Sequence, residues 1–164
     1  MTLRYTHNSL KFYKLTPDVK TPEFATEESA CFDISAYMPR GLAGFAMPTK
    51  NSIIILPNEK VLIPTGIVLD IPEGYSVRLH PRSGLAFKKG LTLANAEGII
   101  DSDYVEEVFV ALHNVSGKEQ IVSHGERIAQ AEMVRSLAYQ ISRTDERPER
   151  KTSRSGGFGS TGTK

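Results

Sequence analysis

The feature that most constrains the fold is a series of short apolar stretches separated at close intervals by turn residues. The stretches are rich in Ile, Val, Phe and Tyr, and several of them alternate apolar with polar residues, as strands do. Expected strands are Leu10 to Leu15, Ser52 to Leu56, Lys60 to Ile63, Ile67 to Ile71, Ser76 to His80, Leu91 to Ala94 and Glu107 to Asn114. The pattern predicts a mostly β protein, a sandwich or barrel rather than alternating α/β units.

Two segments depart from this pattern. Ser83 to Lys89 can form one short helix with Ser83 as its N-cap. Glu126 to Gln140 contains good helix formers, so propensity alone predicts a helix there. Its alternation is ambiguous, however, and local reasoning leaves helix and strand both open.

Composition excludes several classes of function. The 164 residues amount to about one domain. The formal net charge of +1 argues against a general nucleic-acid binder and a polybasic membrane binder. The single Cys31 excludes an internal disulfide framework and a multi-cysteine zinc site. The longest aliphatic run, Ile53 to Leu56, is far shorter than the ~20 residues of a membrane span, and the first residues lack the apolar run of a signal peptide. We therefore expect a soluble cytoplasmic protein.

The composition changes after Ser142. Arg143 to Lys151 is almost entirely polar, and Ser153 to Lys164 consists mainly of Gly, Ser and Thr with one aromatic residue, Phe158. Such a segment buries too little apolar surface to offset the entropy of ordering. We expect a folded β domain over residues 1–142 and a flexible Gly-rich C-terminal tail over 143–164.

The first candidate site is Arg82-Ser83-Gly84, directly after an expected strand. Arg82 offers a planar fork of donors, Ser83 a hydroxyl, and Gly84 a backbone that a ligand can approach closely. These groups suit phosphate, and a helix N-terminus would add a favourable dipole. The alternative is an ordinary strand-to-helix turn with a serine cap.

The second candidate site lies between Asn95 and Tyr104. Asp101 follows two isoleucines, and apolar surroundings would make it a candidate general base. Asn95 can recognise the edge of a heterocycle with one donor and one acceptor, and Tyr104 offers a flat packing face. The alternative is a hairpin turn whose aspartates satisfy backbone donors. A calcium loop is excluded because Glu106 stands where an EF-hand needs its glycine.

The third candidate is the tail itself, which could fold over a nucleotide with Phe158 stacked on the base. Gly157 and Gly162 have the separation of a Walker loop, but the Lys-[Ser/Thr] pair is missing, so that interpretation fails. The alternative is a flexible linker.

These segments together resemble the homotrimeric dUTP pyrophosphatase (dUTPase) family over nearly the full length. Five segments match the family's motifs in order. They are Ser29-Ala30-Cys31-Phe32-Asp33-Ile34-Ser35-Ala36, Pro81-Arg82-Ser83-Gly84-Leu85-Ala86, Asn95 through Tyr104, Gly125-Glu126-Arg127-Ile128-Ala129-Gln130, and Gly156-Gly157-Phe158-Gly159-Ser160-Thr161-Gly162.

The resemblance implies a fold and an activity. The fold is a distorted jelly-roll-like β-barrel (a β-clip) assembled as a homotrimer, with active sites between chains, and Glu126 to Val134 is largely strand. The activity is hydrolysis of dUTP to dUMP and pyrophosphate by attack of water on the α-phosphorus. It keeps uracil out of DNA and supplies dUMP for thymidylate synthesis. A Mg²⁺ ion is held mainly by phosphate oxygens and waters, with no protein ligand. No nucleic acid or membrane partner is implied.

The resemblance also implies roles for individual residues. Asp101 would position and deprotonate the attacking water. Asn95, with backbone groups around Ile99 and Ile100, would read the uracil edge, and Tyr104 would exclude a ribose hydroxyl. The implied substrate-binding residues are Arg82, Ser83, Gly84, Asn95, Gly98, Ile99, Ile100, Tyr104, Gln130, Arg154, Gly157, Phe158, Gly159, Ser160 and Thr161.

Two other functions stay open. The related dCTP deaminases share the fold but typically carry Arg-Ser-Ser where this chain has Arg82-Ser83-Gly84. The second open function is that of a fold relative that acts mainly as a protein-binding regulator. The loop from Arg40 to Ser52 is the first place to test for a protein partner.

The chain departs from the family pattern at two positions. The family's usual Tyr-Arg-Gly is not found after Tyr104, where Val105 and Glu106 follow. Ser153 stands where an arginine is usual, and Arg154 comes one position later.

Overall fold

A computed structural model describes residues 9–47 and 49–153 of the chain. It contains eleven strands and one helix in these residues. The strands are β1 (Lys11–Lys14), β2 (Glu23–Phe24), β3 (Phe32–Ser35), β4 (Ser52–Ile55), β5 (Lys60–Asp70), β6 (Tyr75–His80), β7 (Leu91–Leu93), β8 (Gly98–Ile100), β9 (Glu107–Asn114), β10 (Gln120–Ser123) and β11 (Arg127–Arg135), and the helix is α1 (Ser83–Lys89). The mostly β prediction is confirmed.

The strands form three antiparallel sheets. The four-stranded sheet has the order β1-β5-β9-β7, and the five-stranded sheet has the order β2-β3-β11-β6-β8. A two-stranded sheet pairs β10 with β4. Buried residues of all three sheets, such as Ile53, Ile63, Val77 and Val110, belong to one hydrophobic core. Alternation is clear in β9, where every second side chain is buried, because one face of the strand packs on the core.

Two expected strands are in fact one. The Pro64-Thr65-Gly66 segment, expected as a turn, lies inside β5 as an irregularity in its pairing with β9. Gly66 has a φ of 69°, and the Thr65 hydroxyl donates to the Val108 carbonyl at 2.6 Å. A bulge with its own hydrogen bonds therefore replaces the turn, which the local sequence does not distinguish from a chain reversal.

The segment after Gly125 is a strand, β11, rather than a helix. It pairs with β3 on one side and with β6 on the other. Pairing on both sides overrides helix propensity, and the implication of the family resemblance is confirmed here. Within the described residues, no helix is long and apolar enough to cross a membrane.

Candidate active site

A row of paired residues crosses the five-stranded sheet at one end of β6. Asp33 of β3 is paired with Gln130 of β11, and Gln130 is paired with His80 of β6. Arg82 follows two residues after His80, beyond the end of the strand. The sheet register thus brings residues from three distant parts of the sequence to one place.

An aspartate holds two arginines together at this end. Arg82 Nε donates to Asp33 Oδ1 at 2.9 Å, and Arg127 Nη1 donates to Asp33 Oδ2 at 2.8 Å. Arg82 Nη1 also donates to the Arg127 carbonyl at 3.3 Å. The Asp33 side chain is 17% exposed, so solvent screens these charges incompletely. We call Asp33, Arg82 and Arg127 the arginine cluster; its two guanidinium groups and one carboxylate leave a net positive charge for an anion.

The helix next to the arginine cluster begins one residue earlier than expected. Arg82 occupies the N-cap position, with φ −91° and ψ 126°, and makes no side-chain capping bond. The expectation that Ser83 is the N-cap is wrong, because Ser83 is already the first helical residue. Both Ser83 and Gly84 are exposed, and a Cβ on Gly84 would meet nothing within 4 Å. The hydroxyl and the backbone at this point are therefore open to a ligand.

Gln130 joins the arginine cluster to the start of the helix. Its Nε2 donates to the Pro81 carbonyl at 3.0 Å. The bond fixes the residue directly before Arg82, so Gln130 helps to set where the Arg82 side chain begins.

A cleft of about 240 Å³ lies between β6 and β8 of the five-stranded sheet and β5, β7 and β9 of the four-stranded sheet. Its walls combine apolar side chains with the polar residues of the second candidate site. They are Leu62, Leu79, Leu93, Asn95, Gly98, Ile99, Ile100, Asp101, Tyr104, Val108, Phe109 and Ala111. An apolar recess with a few polar groups is the usual form of a small-molecule site. The structure thus brings Asn95, Gly98, Ile99, Ile100, Asp101 and Tyr104 together around one cleft.

The segment that forms the cleft is not a hairpin. The strand before it, β7, pairs with β9 in the four-stranded sheet, whereas β8 pairs with β6 in the five-stranded sheet. The chain crosses between the sheets through a turn in which Ala96 has a φ of 62°. The alternative of a simple hairpin turn between Asn95 and Tyr104 is therefore wrong, and the cleft is lined by residues from both sheets.

Asp101 is more exposed than its sequence surroundings suggest. Ile100 is buried, but Ile99 is 58% exposed, and the Asp101 side chain itself is exposed. Within the described residues the carboxylate accepts no hydrogen bond and forms no ion pair. Asp101 thus lines a largely apolar cleft but is exposed rather than buried, because alternate residues of β8 face outwards.

The two sets of residues are well separated in one chain. Ile100 is paired with Val77, so Asp101 follows β8 towards the Tyr75 end of β6. Arg82 lies beyond His80, past the opposite end of β6. Asp101 and the arginine cluster of the same chain therefore lie towards opposite ends of this strand.

Cys31 lies beside the arginine cluster. Its thiol is half-buried rather than in the core. Burial raises its pKa, and the negative charges of Glu132 and Asp33 raise the pKa further. The tail residues Arg154, Gly157, Phe158, Gly159, Ser160 and Thr161 lie outside the described residues.

Comparison with known proteins identifies the family. The dUTPase family model matches residues 18–162. The chain belongs to the dUTPase family. The deoxyuridine 5'-triphosphate nucleotidohydrolase of Brucella melitensis is 43% identical over 143 residues, covering 84% of this chain and 89% of that protein. The nucleotidohydrolase of the same name from Hydrogenobaculum is 40% identical over 151 residues, covering 92% and 96%.

Solved dUTPase structures have the same fold. A mutant dUTPase of Staphylococcus bacteriophage 80alpha with dUpNHpp aligns with a TM-score of 0.73 at 23% identity, covering 94% of this chain and 99% of that one. The dUTPase of Streptococcus mutans aligns with a TM-score of 0.63 at 24% identity, covering 79% and 98%. At these identities the likeness establishes the fold of this dUTPase family member.

Sequence reasoning missed three residues that organise the site of this dUTPase family member. Asp33 and Arg127 lie inside the family motifs, but neither was singled out as a site residue. The third, Glu107, accepts a bond from the Gly66 N–H at 2.7 Å while its carbonyl accepts one from the Tyr104 hydroxyl at 2.8 Å. A charged residue at the start of a strand gives no sign of such contacts, since they depend on which strands become neighbours.

Proposed function

We propose that this protein hydrolyses dUTP to dUMP and pyrophosphate, with Asp101 as the base that deprotonates the attacking water. The observation that supports this most directly is the cleft that combines Asn95, Asp101 and Tyr104. The nucleotidohydrolases that resemble the chain at 40–43% identity carry the name of this reaction. A carboxylate without a protein partner is free to accept a proton, which suits a general base.

The cleft supports recognition of deoxyuridine. Asn95, with a donor and an acceptor on one side chain, would read the uracil edge. Cytosine presents a donor where uracil presents an acceptor, and a buried mismatch costs about 1–3 kcal/mol. The Tyr104 ring would pack on the sugar and leave no room for a 2'-hydroxyl. Gly98, Ile99 and Ile100 would supply backbone groups and apolar contact around the base.

The arginine cluster supports binding of the phosphates. Arg82, Ser83 and Gly84 would hold phosphate oxygens and counter the charge that develops in the transition state. Gln130 would act from the same end of the sheet. Asp33 keeps the two guanidinium groups in place before substrate arrives, so less order has to be created on binding.

The separation of Asp101 from Arg82 supports an active site shared between chains. We infer a homotrimer in which the cleft of one chain meets the arginine cluster of its neighbour. The exposed segment after β11 also supports contact between chains. Leu137, Tyr139 and Ile141 alternate there with small or polar residues and are 77%, 79% and 89% exposed, a pattern typical of a strand that has one face to bury on another chain.

Magnesium fits this arrangement as a companion of the substrate. Within the described residues no group of three or more His, Cys, Asp or Glu side chains could hold a metal ion. The donors near the arginine cluster suit phosphate oxygens rather than a cation, and Mg²⁺ commonly keeps its waters and binds through phosphates. Bound in that way, the ion would reduce the charge of the triphosphate, while the chain's own residues position the α-phosphorus and the water.

We propose further that residues 1–142 form the catalytic domain and that residues 143–164 act as a lid. Arg135 to Ser153 are exposed throughout, which suits a segment available to reach a neighbouring site. Phe158 would cover the base, Gly157 and Gly159 would let the backbone approach it closely, and Arg154, Ser160 and Thr161 would approach the phosphates. The protein would act on a soluble nucleotide in the cytoplasm.

The test is pyrophosphate release with Mg²⁺ from dUTP, dTTP, dCTP and UTP side by side. A strong preference for dUTP is expected. Ammonia release from dCTP would instead place the protein with the deaminases, and a folded trimer without turnover would favour a protein-binding regulator.

Mixing two inactive variants tests the shared site. Asp101→Asn and Arg82→Ala chains, denatured, mixed equally and refolded together, should recover activity in about one quarter of the sites, because a heterologous interface can combine one intact residue from each chain. No recovery would contradict a site built between chains.

A further inference from the structure

Among the residues that the structure describes, the Tyr104 side chain makes one hydrogen bond. Tyr104 is 41% exposed and forms part of the cleft wall. Its hydroxyl donates to the Glu107 carbonyl at 2.8 Å, and its backbone N–H donates to the Asp101 carbonyl at 3.2 Å. The ring therefore keeps its place only if the backbone at Glu107 keeps its place.

Glu107 begins β9 opposite the bulge of β5. It is paired with Val68, and the next pair along the strands is Pro64 with Phe109. Between these pairs, residues 65–67 of β5 face only Val108 of β9. Extra residues in one strand leave backbone groups without ladder partners, so they must find other ones.

The Glu107 carboxylate supplies one of those partners. The Gly66 N–H donates to Glu107 Oε1 at 2.7 Å, and the Thr65 hydroxyl donates to the Val108 carbonyl at 2.6 Å. Gly66 is buried, and a Cβ there would lie 2.4 Å from the Val19 side chain. The bulge is therefore held by its packing, and the Gly66 N–H is a fixed donor.

We propose that Glu107 is a positioning residue for discrimination between deoxyribose and ribose. Its carboxylate, anchored on the Gly66 N–H, fixes the start of β9 and thereby the carbonyl that holds the Tyr104 hydroxyl. Glu107 does not line the cleft, so it acts through Tyr104. The inference rests on the proposed function, in which Tyr104 excludes the 2'-hydroxyl.

The first test compares dUTP with UTP in Glu107→Ala. Without its acceptor the start of β9 loosens, and the Tyr104 ring can move to admit a ribose. The ratio of kcat/KM for dUTP to that for UTP is expected to fall about tenfold, with a higher KM for dUTP and a smaller change in kcat. An unchanged ratio in a folded variant would overturn the proposal.

Two control variants separate positioning from stability. Glu106→Ala changes an exposed neighbouring carboxylate that makes no hydrogen bond or ion pair within the described residues, and it should keep the wild-type ratio. Thr65→Val removes the two hydrogen bonds of the Thr65 hydroxyl in the same bulge, one donated to the Val108 carbonyl and one accepted from the Ile67 N–H, so it should lower Tm and also keep the ratio. A loss of discrimination in Thr65→Val equal to that in Glu107→Ala would mean that general loosening, and not Glu107, is responsible.

A second pair of variants tests whether the length or the charge of the side chain at position 107 matters. This test does not require Glu107→Ala to fold. Glu107→Gln keeps an acceptor oxygen at the same length, whereas Glu107→Asp keeps the charge on a shorter side chain. The proposal expects Gln to behave as wild type and Asp to lose discrimination. The reverse order would overturn it.

Nucleotide binding distinguishes failure of this inference from failure of the proposed function. Calorimetry of dUMP against UMP measures the preference for deoxyribose without hydrolysis. If wild type binds dUMP selectively but releases no pyrophosphate from dUTP, the proposed reaction fails and the role of Glu107 is still tested by the same titrations. If wild type is active and Glu107→Ala keeps its preference for dUMP, only this inference fails.

Discussion

Two aspartates at opposite ends of β6 have contrasting environments. Asp33 is 17% exposed and accepts hydrogen bonds from Arg82 and Arg127. Asp101 is exposed, and its carboxylate has no partner within the described residues. An aspartate side chain is thus bonded to two arginines at one end of β6, whereas within the described residues the aspartate at the other end has no partner.

The contrast indicates two different roles. A carboxylate that is shared by two guanidinium groups organises positive charge. An unpaired carboxylate in a cleft can accept a proton from water. The surroundings of Asp33 therefore suit binding of the proposed triphosphate substrate, and the Asp101 carboxylate suits the proposed removal of a proton from water.

Replacing the free aspartate is expected to have the largest effect. Asp101→Asn removes the proposed base but keeps the shape of the side chain, so kcat should fall by about 10²–10⁴-fold while dUTP still binds. Steady-state pyrophosphate release and calorimetry with a non-hydrolysable dUTP analogue measure the two properties separately.

Asp103→Asn provides the control, since Asp103 is an exposed aspartate two residues away that does not line the cleft. It should keep nearly full activity. Unchanged turnover in Asp101→Asn, or equal losses in the two variants, would remove Asp101 from its proposed role.

Removing the tail tests whether the arginine cluster and the cleft with Asp101 suffice for activity. Truncation after Ser153 deletes Phe158 and the residues proposed to approach the phosphates. Because a lid excludes water and completes the site, most activity should be lost while the oligomer persists. Turnover assays and light scattering check the two expectations, and full turnover by the truncated chain would reject the lid.

Much of this contrast could be predicted from the sequence, but not all of it. Turn residues between apolar stretches predicted the strands that form the sheets, and the order of the motifs predicted the family. The exposure of Asp101 was not predicted, because it depends on which face of β8 points outwards. The pairing of Asp33 with two arginines was not predicted either, since it needs the register of β3 with β11.

The bulge in β5 shows the same limit. Pro64, Thr65 and Gly66 are typical turn residues, and local chemistry alone predicts a chain reversal there. Contacts with β9, which begins more than 40 residues later, keep the strand continuous instead. Local patterns therefore predict elements better than they predict the contacts on which a site depends.

Replacing the engaged aspartate is expected to have an intermediate effect. Asp33→Asn leaves two like charges side by side with a weaker acceptor, so the free energy of unfolding should fall by about 1–3 kcal/mol. The KM for dUTP should rise more than kcat falls, because the arginines bind substrate less well when they are disordered. Thermal unfolding and steady-state kinetics measure both.

Asp70→Asn is the matched control for this prediction. Asp70 also faces a cation, Lys11, at 3.8 Å, but both side chains are more than 70% exposed. An exposed pair of this kind contributes little, so the control should change neither Tm nor KM. Equal effects in the two variants would show that Asp33 has no special part in holding the arginines.

The smallest expected effect uses Cys31 as a reporter of charge at the engaged end. Burial, then Glu132, then Asp33 raise the pKa of the Cys31 thiol. Since the thiolate is the reactive form, alkylation by iodoacetamide near pH 8 should be slower than for an unperturbed cysteine.

Removing a nearby negative charge should lower the pKa of the Cys31 thiol and speed its alkylation. Glu132→Gln should therefore accelerate alkylation more than Asp33→Asn does, each by less than about tenfold. If Asp33→Asn does not change the rate of alkylation, the two arginines neutralise the Asp33 carboxylate completely and its charge does not affect the Cys31 thiol.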